Sequence, residues 1–438
     1  MNNAKVICLG GGLDSTALLI DEWYKGTELY GLYFYYGQKA VAGELKSVKY
    51  FCQKYKVPLQ IIKVEIDKIA KSDILKGSNL AVAPETNILE GRNGIFASLG
   101  VTYASTIGAK EVLFGFHEKP ATYSFPDSHQ EFVDEFNYLI DVYVSDKYKD
   151  IRISAPFAHM TRQELFNRAY FYDKGIADET FSCYEDTEKE CGKCSHCIEK
   201  QTIVSNAQLP QVHKNAVNLI SGGIDSAVVT LRLLQDGYDV YGVMFNYGQE
   251  NFDVTFEKAK SFTDKYKVPL KVIDLQMDWV KSSILKGQKI DEGTTKDNLY
   301  LQPEKPYWVP ARNGLFLALA GSYASSIGAE EVYASFQMDT LDWGRYDNED
   351  YKGNFASGDL TPFFMRTMND FAECGYHTPV KFIAPFIDSR AHAFTIALEG
   401  KRRGLDFDLT YSCRYTPVCE QCPQCLIRKD RIDYARTH

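Results

Sequence analysis

The sequence predicts two α/β domains in tandem, each built on a parallel β-sheet with helices on both faces. Three observations support this prediction. A set of motifs occurs twice along the 438 residues, short apolar runs alternate with helical patterns in each copy, and each copy ends in a cluster of cysteines. A chain of this length is long for a single core and sufficient for two domains of about 200 residues each.

Internal repetition is the most informative feature of the chain. The matching segments are GGGLDS at 10–15 with SGGIDS at 221–226, KYKVPL at 54–59 with 265–270, YASTIGAKEV at 103–112 with YASSIGAEEV at 323–332, and APF at 155–157 with 384–386. The offset grows only slightly along the chain, which indicates a tandem duplication with small insertions. We therefore predict domains over 1–205 and 211–438, and we expect them to form a pseudo-dimer within one chain.

Within each copy the same order of elements is expected. An apolar strand (KVICL or AVNLI) leads into a glycine turn and a helix, and a second strand leads into a YGQ motif. A helix ending at KYKVP, a third strand, a helix that begins near RNG and a further strand follow. Alternating strands and helices predict a parallel sheet, and such sheets bind ligands at the carboxyl ends of their strands. The glycine turn and the RNG segment would meet there.

The glycine turn of the second copy, SGGIDS, has the features of an anion site. A strand that ends on two glycines before a helix directs backbone N–H groups and a positive helix end at one point, which suits a phosphate. The side chains of Ser221 and Ser226 can add donors, and Asp225 is positioned to hold Mg²⁺ directly or through water. The GxxxxGK[ST] loop of kinase-type enzymes occurs nowhere in the chain. The alternative is an ordinary strand-to-helix turn.

The cysteine clusters at the end of each copy predict metal sites. Four thiolates, three of them at CxxCxxC spacing, form the closed tetrahedral set that zinc prefers, so we expect one structural Zn²⁺ in each domain. An iron–sulfur cluster is the first alternative and redox-active CxxC pairs are the second. His196 lies inside the first cluster and is expected to be a surface side chain. The predicted ligands are Cys183, Cys191, Cys194 and Cys197 in the first domain and Cys413, Cys419, Cys422 and Cys425 in the second.

Composition limits the classes of partner. The formal net charge is −9, which argues against a large nucleic-acid interface, and 45% hydrophobic residues with 24% charged residues are typical of a soluble globular protein. No apolar run approaches the length of a membrane span, and the N-terminal residues lack the layout of a signal peptide. A cytoplasmic location without membrane partners is therefore expected, and eleven cysteines there favour metal binding over disulfides.

Taken together, SGGxDS, FxYGQ, [VP]ARN and the terminal SC with CxxCxxC resemble the 7-cyano-7-deazaguanine synthases, or QueC-like proteins. The resemblance covers nearly all of both copies. It implies the pyrophosphatase-loop fold (adenine nucleotide alpha hydrolase-like), with ATP and Mg²⁺ as cofactors. It also implies an adenylate-forming carbon–nitrogen ligase that activates the carboxylate of 7-carboxy-7-deazaguanine. In the parent enzymes ammonia attacks the acyl-adenylate, and a second activation gives the nitrile.

The resemblance carries over to particular residues. Asp225, Ser221 and Arg312 would carry the catalysis, and Arg312 would act near a carboxylate or phosphate unless it is only a solvated charge at a helix start. The implied ATP-binding residues are Ser221, Gly222, Gly223, Asp225, Ser226, Tyr247, Gly248, Gln249 and Asn313, with Gly11, Gly12, Asp14 and Ser15 at the matching positions of copy one. The implied substrate residues are Arg312, Asn313, Arg92, Asn93 and Asp127.

The two copies depart from the family pattern in different ways. Copy one has Gly10 in place of the first serine and EGRN in place of PARN, which places Glu90 near the expected site. It retains the FPD string that contains Asp127, whereas copy two has a longer, altered segment over 342–364. We therefore expect copy two to carry out the ATP chemistry and copy one to be a degenerate partner.

The fused form resembles the QueC-like proteins found with bacterial antiphage systems. That likeness implies an amine acceptor other than ammonia, such as the N-terminus of a protein. Three alternatives remain open from the sequence: a housekeeping 7-cyano-7-deazaguanine synthase that uses ammonia, another pyrophosphatase-loop enzyme such as a tRNA thiolase, and a non-catalytic nucleotide-binding scaffold.

Overall fold

The computed structural model divides the chain into two compact units, Met1–Pro210 and Gln211–His438, which we call unit 1 and unit 2. Each unit is described by itself. The structure describes residues 4–76, 89–117, 126–185, 188–207, 214–277, 279–282, 284–286, 309–337, 360–376, 379–389 and 391–438. Most of the long, altered segment of copy two, 342–359, lies outside the described residues.

Each unit contains a five-stranded parallel sheet. The strands of unit 1 are β1 (Ala4–Leu9), β2 (Glu28–Tyr35), β3 (Leu59–Lys63), β4 (Glu111–Leu113) and β5 (Arg152–Ser154), in the spatial order β3-β2-β1-β4-β5. Those of unit 2 are β6 (Asn215–Leu219), β7 (Asp239–Asn246), β8 (Leu270–Asp274), β9 (Glu331–Tyr333) and β10 (Lys381–Ile383), in the order β10-β9-β6-β7-β8. Every ladder is parallel, which confirms the predicted fold class.

Helices cover both faces of each sheet. In β6, the neighbouring residues Ala216 and Val217 belong to separate buried clusters because successive side chains of a strand point to opposite faces. The helices of unit 1 are Leu13–Tyr24, Val41–Lys54, Arg92–Ile107, Gln130–Tyr143, Arg162–Tyr172, Gly175–Glu179 and Ser195–Ser205. Those of unit 2 are Ile224–Gln235, Phe252–Lys265, Arg312–Ser326, Pro362–Gly375, Pro385–Asp388, Ala393–Arg402 and Pro423–Thr437. None of the described helices is long and apolar enough to cross a membrane.

The glycine turn after the first strand of each unit depends on one particular glycine. Gly11 and Gly222 both have φ of +77°, a left-handed conformation that disfavours residues with a side chain. A Cβ at Gly11 would lie 2.6 Å from the carbonyl oxygen of Glu44, and a Cβ at Gly222 would lie 2.6 Å from that of Thr255. The turn therefore packs directly against the backbone of the second helix of its unit, Val41–Lys54 or Phe252–Lys265. This contact fixes the position of the turn at the edge of the sheet.

A buried ion pair joins the helix after the glycine turn to a helix from the second half of each unit, with its charges reversed between units. In unit 1, Asp21 pairs with Arg168, whereas in unit 2 Arg232 makes two hydrogen bonds of 3.0 and 2.7 Å to Glu399. Arg403 also pairs with Glu399 at 2.7 Å. Burial alone would raise the pKa of Glu399, but Arg232 and Arg403 lower it. The charge pattern changed after duplication while the contact was retained.

Glu399→Ala is predicted to lower the free energy of unfolding of unit 2 by about 3–5 kcal/mol, because it leaves two buried guanidinium groups without their carboxylate. Urea denaturation read out through hydrogen exchange of Ile224–Gln235 measures the effect. The matched control is Asp264→Ala, which breaks the exposed pair with Lys260 and should cost less than about 0.5 kcal/mol. Equal losses in the two variants would contradict the prediction.

Candidate nucleotide site and cysteine clusters

A cavity of about 560 Å³ lies at the carboxyl ends of the strands of unit 2, as the parallel topology predicts. Its walls come from the ends of β6 and β7, the YGQ motif, the start of the helix Arg312–Ser326 and the segment around Cys413. The polar and charged residues that line it are Ser221, Tyr247, Gln249, Asn251, Thr255, Arg312, Asn313, Ser335, Gln337, Ser412, Arg414 and Gln424. These lining residues include two guanidinium groups and no carboxylate.

Two serines hold the glycine turn of unit 2 together. The Ser226 hydroxyl accepts a hydrogen bond from the Ser221 N–H at 3.2 Å and donates one to the Gly223 carbonyl at 3.2 Å. The Ser221 hydroxyl accepts from the Gly223 N–H at 3.3 Å, and its side chain lines the cavity. The turn leads into the N-terminus of Ile224–Gln235, where free backbone N–H groups and the helix dipole favour an anion.

Arg312 is held at the cavity by aromatic side chains. Its Nη1 donates to the Tyr247 hydroxyl at 3.3 Å, and its guanidinium lies 5.7 Å from the centre of the Tyr247 ring and 5.9 Å from that of Phe316. Ala311, just before the helix, adopts the left-handed conformation with φ of +55°. Asn313 is buried and also lines the cavity. Arg312 is therefore an oriented cation at the cavity and not a solvated charge.

The YGQ motif shapes the end of β7. The side chain of Gln249 donates to the Phe245 carbonyl at 2.9 Å and accepts from the Tyr247 N–H at 2.8 Å. Gly248 has φ of +84°, and its carbonyl accepts from the N–H of Lys286 at 2.9 Å. Tyr247 and Gln249 line the cavity, and Gly248 forms the turn that presents them.

Asp225 forms an ion pair with Arg431, which comes from the last helix of the chain. Gln337 also donates to the Asp225 carboxylate, at 3.3 Å. In this arrangement the carboxylate orients a guanidinium beside the glycine turn. Binding of Mg²⁺ by Asp225 stays a prediction, and it would require this ion pair to share or release a carboxylate oxygen.

Asp14 makes the equivalent pair in unit 1 with a cation from a different element. Arg162, at the start of the helix Arg162–Tyr172, bonds Asp14 at 2.8 Å and also pairs with Glu199 at 2.7 Å. Burial alone would lower the pKa of Arg162, but the carboxylates of Asp14 and Glu199 outweigh it and raise the pKa. In both units, therefore, a guanidinium pairs with the aspartate of the glycine turn. In unit 2 it belongs to the C-terminal helix Pro423–Thr437, whereas in unit 1 it belongs to the helix Arg162–Tyr172.

The predicted cysteines come together in each unit. The ligand atoms of each group of four lie within 4.8 Å of one another. Individual sulfur–sulfur distances are 3.9 Å for Cys191 to Cys197 and 4.0 Å for Cys194 to Cys183. Four sulfurs at about 2.3 Å from one zinc ion would be about 3.8 Å apart, so the clusters fit a single tetrahedral ion. The polyatomic core of an iron–sulfur cluster would need sulfurs spread farther apart.

Backbone N–H groups support thiolates in both clusters. The N–H groups of Lys193 and Cys194 help to lower the pKa of Cys191 to about 7, with that of Lys193 the larger cause. At Cys419 burial acts in the opposite direction, but the N–H groups of Gln421 and Cys422 outweigh it and lower the pKa to about 7. Burial instead raises the pKa of Cys197 and Cys425, so the thiols of each cluster differ in how readily they ionise.

The cysteine clusters are joined directly to the glycine turns. In unit 2 the N–H of Tyr411, two residues before Cys413, donates to the Gly222 carbonyl at 2.7 Å. In unit 1 the N–H of Phe181 donates to the Gly11 carbonyl at 2.8 Å. We call the segment that carries the cysteines the cysteine lobe: residues 181–185 and 188–205 in unit 1, and 411–437 in unit 2. The lobe therefore forms one wall of the cavity in each unit.

Sequence reasoning missed several residues that this wall contributes. Ser412, Arg414 and Gln424 line the cavity of unit 2, and Arg431 reaches its turn aspartate. Arg414, Gln424 and Arg431 carried no motif signal because they lie between or after the cysteines. Ser412 belongs to the terminal SC motif, but it was assigned no role at the site. The available signal was the alignment of the two copies, in which Tyr184 takes the place of Arg414.

Unit 1 has a smaller cavity at the same place, of about 250 Å³. Gly10, Glu44 and Tyr184 line it where unit 2 has Ser221, Thr255 and Arg414. The charged residues that line it are Asp14, Glu44, Arg92 and Arg162, so carboxylates and guanidinium groups are balanced. The lining also includes several phenylalanine and tyrosine rings and the polar residues Ser15, Gln38, Asn93 and Ser182.

Three expectations for unit 1 can be compared with this cavity. Asp127 meets the start of the helix Arg92–Ile107, where its side chain accepts from the Asn93 N–H at 3.3 Å. Glu90 is exposed and does not line the described cavity, so it does not add the expected negative charge. His196, predicted to be a surface side chain, is half-buried and lines the cavity, with its ring 4.0 Å from that of Tyr184.

Comparison with known proteins matches both units to the same protein family. The family described as "Queuosine biosynthesis protein QueC" matches residues 4–207 and, separately, 215–435. A 7-cyano-7-deazaguanine synthase from Caldicellulosiruptor bescii is 29% identical over 206 residues, which are 44% of this chain and 89% of the relative. One from Methanobrevibacter smithii is 27% identical over 219 residues, covering 46% and 92%, and one from Psychromonas ingrahamii is 30% identical over 237 residues, covering 51% and 99%.

Metal analysis of the purified chain is predicted to give two zinc ions per molecule, because each cluster offers four sulfurs at single-ion spacing. Inductively coupled plasma mass spectrometry on a protein sample of known concentration makes the measurement. One zinc ion per chain, or iron in place of zinc, would contradict the prediction.

Cys422→Ser is predicted to weaken ATP binding by the full chain by about tenfold or more, because loosening the lobe of unit 2 displaces Arg414 from the cavity wall. The matched control is Cys194→Ser, which makes the same change at the equivalent position of unit 1 and should leave ATP affinity close to wild type. Isothermal titration calorimetry with an α,β-methylene analogue of ATP measures both. Similar losses in the two variants would show that the lobes do not act on separate cavities.

Proposed function

The chain belongs to the QueC family over both of its halves, and on that premise we propose that it is an ATP-dependent carbon–nitrogen ligase. Its proposed reaction adenylates the carboxylate of 7-carboxy-7-deazaguanine and joins the activated acyl group to an amine. The observation that carries the proposal is the cavity of unit 2, in which a serine-bearing glycine turn faces Arg312 and Arg414 without a lining carboxylate. That charge distribution suits a polyanion such as ATP.

The first step places new negative charge where unit 2 has donors. A carboxylate oxygen of the substrate attacks the α-phosphorus of ATP, the bond to the bridging oxygen breaks, and pyrophosphate leaves. The N–H groups of the glycine turn and the Ser221 hydroxyl are proposed to donate hydrogen bonds to the phosphate oxygens. Arg312 and Arg414 are proposed to offset the negative charge of those oxygens. Mg²⁺ bound to ATP would neutralise further phosphate charge.

The second step forms the carbon–nitrogen bond. The amine attacks the carbonyl carbon of the acyl-adenylate, the bond from that carbon to the phosphate oxygen breaks, and AMP leaves as the nitrogen loses a proton. Adenylation is needed because a free carboxylate is a poor electrophile until it carries a good leaving group. Arg312, fixed against Tyr247 and Phe316, is proposed to hold the phosphate of this leaving group.

Two amines are candidates for the acceptor. We propose the N-terminus of a protein, in antiviral defence, because a duplicated chain with one altered copy resembles the QueC-like proteins of antiphage systems. The second candidate is ammonia, with a second activation that gives the nitrile. It is favoured by the curated relatives, which are named 7-cyano-7-deazaguanine synthases.

Mass spectrometry of the products distinguishes these acceptors. The chain is incubated with ATP and 7-carboxy-7-deazaguanine, either with ammonia or with proteins encoded beside it. Addition of the acyl mass to the N-terminal peptide of a protein supports the proposed ligase. Steady release of free nitrile supports the second candidate, and the absence of AMP and pyrophosphate under both conditions would favour a non-catalytic scaffold.

Asp225→Ala is predicted to slow pyrophosphate release by about 100-fold or more, since the ion pair that orients Arg431 beside the phosphate site is lost. Asp14→Ala should retain most of the activity, because the turn of unit 1 lacks the first serine and its cavity carries carboxylates. Both rates are measured by coupled pyrophosphate detection with 7-carboxy-7-deazaguanine as substrate.

The two variants serve as controls for each other, because each removes the same carboxylate from equivalent turns. Zinc content and circular dichroism must match the wild type in both before the rates are compared. An inactive Asp14→Ala variant together with an active Asp225→Ala variant would assign ATP chemistry to unit 1 and refute the proposal for unit 2.

A further inference from the structure

Unit 1 keeps the shape of the glycine turn and the oriented arginine of unit 2. In its turn the Ser15 hydroxyl accepts from the Gly10 N–H at 3.1 Å, the same bond that shapes the turn of unit 2. The Nη1 of Arg92 donates to the Tyr36 hydroxyl at 3.3 Å, as Arg312 does to its own tyrosine at the same distance. The turn and the arginine therefore do not explain why the cavity of unit 1, at about 250 Å³, is less than half as large as the cavity of about 560 Å³ in unit 2.

A hydrogen-bonded bridge joins two walls of the cavity of unit 1. The Tyr33 hydroxyl, from β2, donates to Oε2 of Glu44, from the helix Val41–Lys54, at 2.9 Å. The Gln38 amide donates to the same carboxylate oxygen and to the Tyr33 hydroxyl, both at 2.9 Å, which closes a ring of three hydrogen bonds. All three side chains line the cavity, and we call them the tyrosine–glutamate bridge. The bridge is rigid because moving one member would leave buried polar groups of the others without partners.

The residues of unit 2 at the same positions cannot form this bridge. Met244 replaces Tyr33 on β7, and Thr255 replaces Glu44 on the helix Phe252–Lys265. The methionine side chain has no hydroxyl that could donate across the cavity. The Thr255 hydroxyl donates to two carbonyls at the start of its own helix, both at 2.9 Å, so it is turned away from β7. Met244 and Thr255 both line the cavity of unit 2, with open space where unit 1 has the bridge.

The bridge lies directly beside the glycine turn. A Cβ at Gly11 would be 2.6 Å from the carbonyl oxygen of Glu44, so the residue that carries the carboxylate packs against the turn itself. A nucleotide with its phosphates on the turn must extend the rest of the molecule along the carboxyl ends of the neighbouring strands. The cavity of unit 2 falls within the range of about 300–1,000 Å³ found for drug-sized ligands, and the cavity of unit 1 falls below it.

We propose that the tyrosine–glutamate bridge is the specificity determinant that keeps nucleoside triphosphates out of unit 1, and that Met244 and Thr255 admit them to unit 2. This inference rests on the proposed ATP chemistry of unit 2. It assigns the difference between the units to one pair of side chains, and not to the serine that is missing at Gly10. Exchanging the pair should therefore open or close a cavity while the glycine turn stays as it is.

Counting nucleotide sites on the full chain tests the inference. Equilibrium dialysis with Mg²⁺ and a radiolabelled α,β-methylene analogue of ATP should find one site on the wild-type chain. The double variant Tyr33→Met/Glu44→Thr, which gives unit 1 the residues of unit 2, should bind two analogue molecules. The reverse variant Met244→Tyr/Thr255→Glu should bind none at concentrations that saturate the wild type. Lys46→Glu, which makes the same kind of exchange at an exposed position of the helix Val41–Lys54, is the matched control and should keep one site.

Circular dichroism and zinc content must match the wild type before sites are counted in any variant. If the opened double variant does not fold, Glu44→Thr alone takes its place and should also gain a second site, because it removes the carboxylate that closes the bridge. A wild-type chain that binds two analogue molecules or none, or a folded opened variant that binds only one, would overturn the inference.

Pyrophosphate release with 7-carboxy-7-deazaguanine is measured on the same wild-type sample. Release together with two analogue sites refutes only this inference, whereas one site without any release refutes only the proposed function.

Discussion

The hydrogen bond between the glycine turn and the cysteine lobe is the contact on which each site depends. Tyr411 donates to the Gly222 carbonyl in unit 2, and Phe181 donates to the Gly11 carbonyl in unit 1. A turn held only by its own strand and helix would leave the cavity open on one side. Because the lobe closes that side, the four-cysteine cluster that holds the lobe together helps to determine which side chains line the cavity.

Some amino-acid differences between the two units are offset by a second replacement that keeps the interaction, and others are not. The buried pair Asp21–Arg168 of unit 1 becomes Arg232–Glu399 in unit 2, and the guanidinium on the turn aspartate comes from Arg162 in one unit and Arg431 in the other. These exchanges preserve the interaction, as stability requires. By contrast, no described residue restores the serine hydroxyl missing at Gly10 or offsets the carboxylate of Glu44 by a direct ion pair. The side chains that line the two cavities have therefore diverged.

Much of the fold could be predicted from local patterns. The repeated motifs predicted two domains, and the alternation of strands and helices predicted parallel sheets. The spacing of Cys191, Cys194 and Cys197 predicted a compact cluster. These predictions succeeded because each feature depends on residues that are close together in the sequence. The missed residues act across long separations. Arg431 meets a turn more than 200 positions earlier, and Glu44 enters the cavity from a position that lies between the YGQ and KYKVPL motifs. Glu90 was expected at the site from its place beside Arg92, yet its helix start turns it to solvent.

The central claim is that unit 2 takes the nucleotide and unit 1 does not. Hydrogen exchange of the full chain, with and without Mg²⁺ and an α,β-methylene analogue of ATP, tests this claim most directly. Binding should protect backbone amides of the turn at 221–226 and of the lobe around 412–414, while the matching amides at 10–15 and 182–184 keep their exchange rates. Protection of 10–15 with no change at 221–226 would contradict the account.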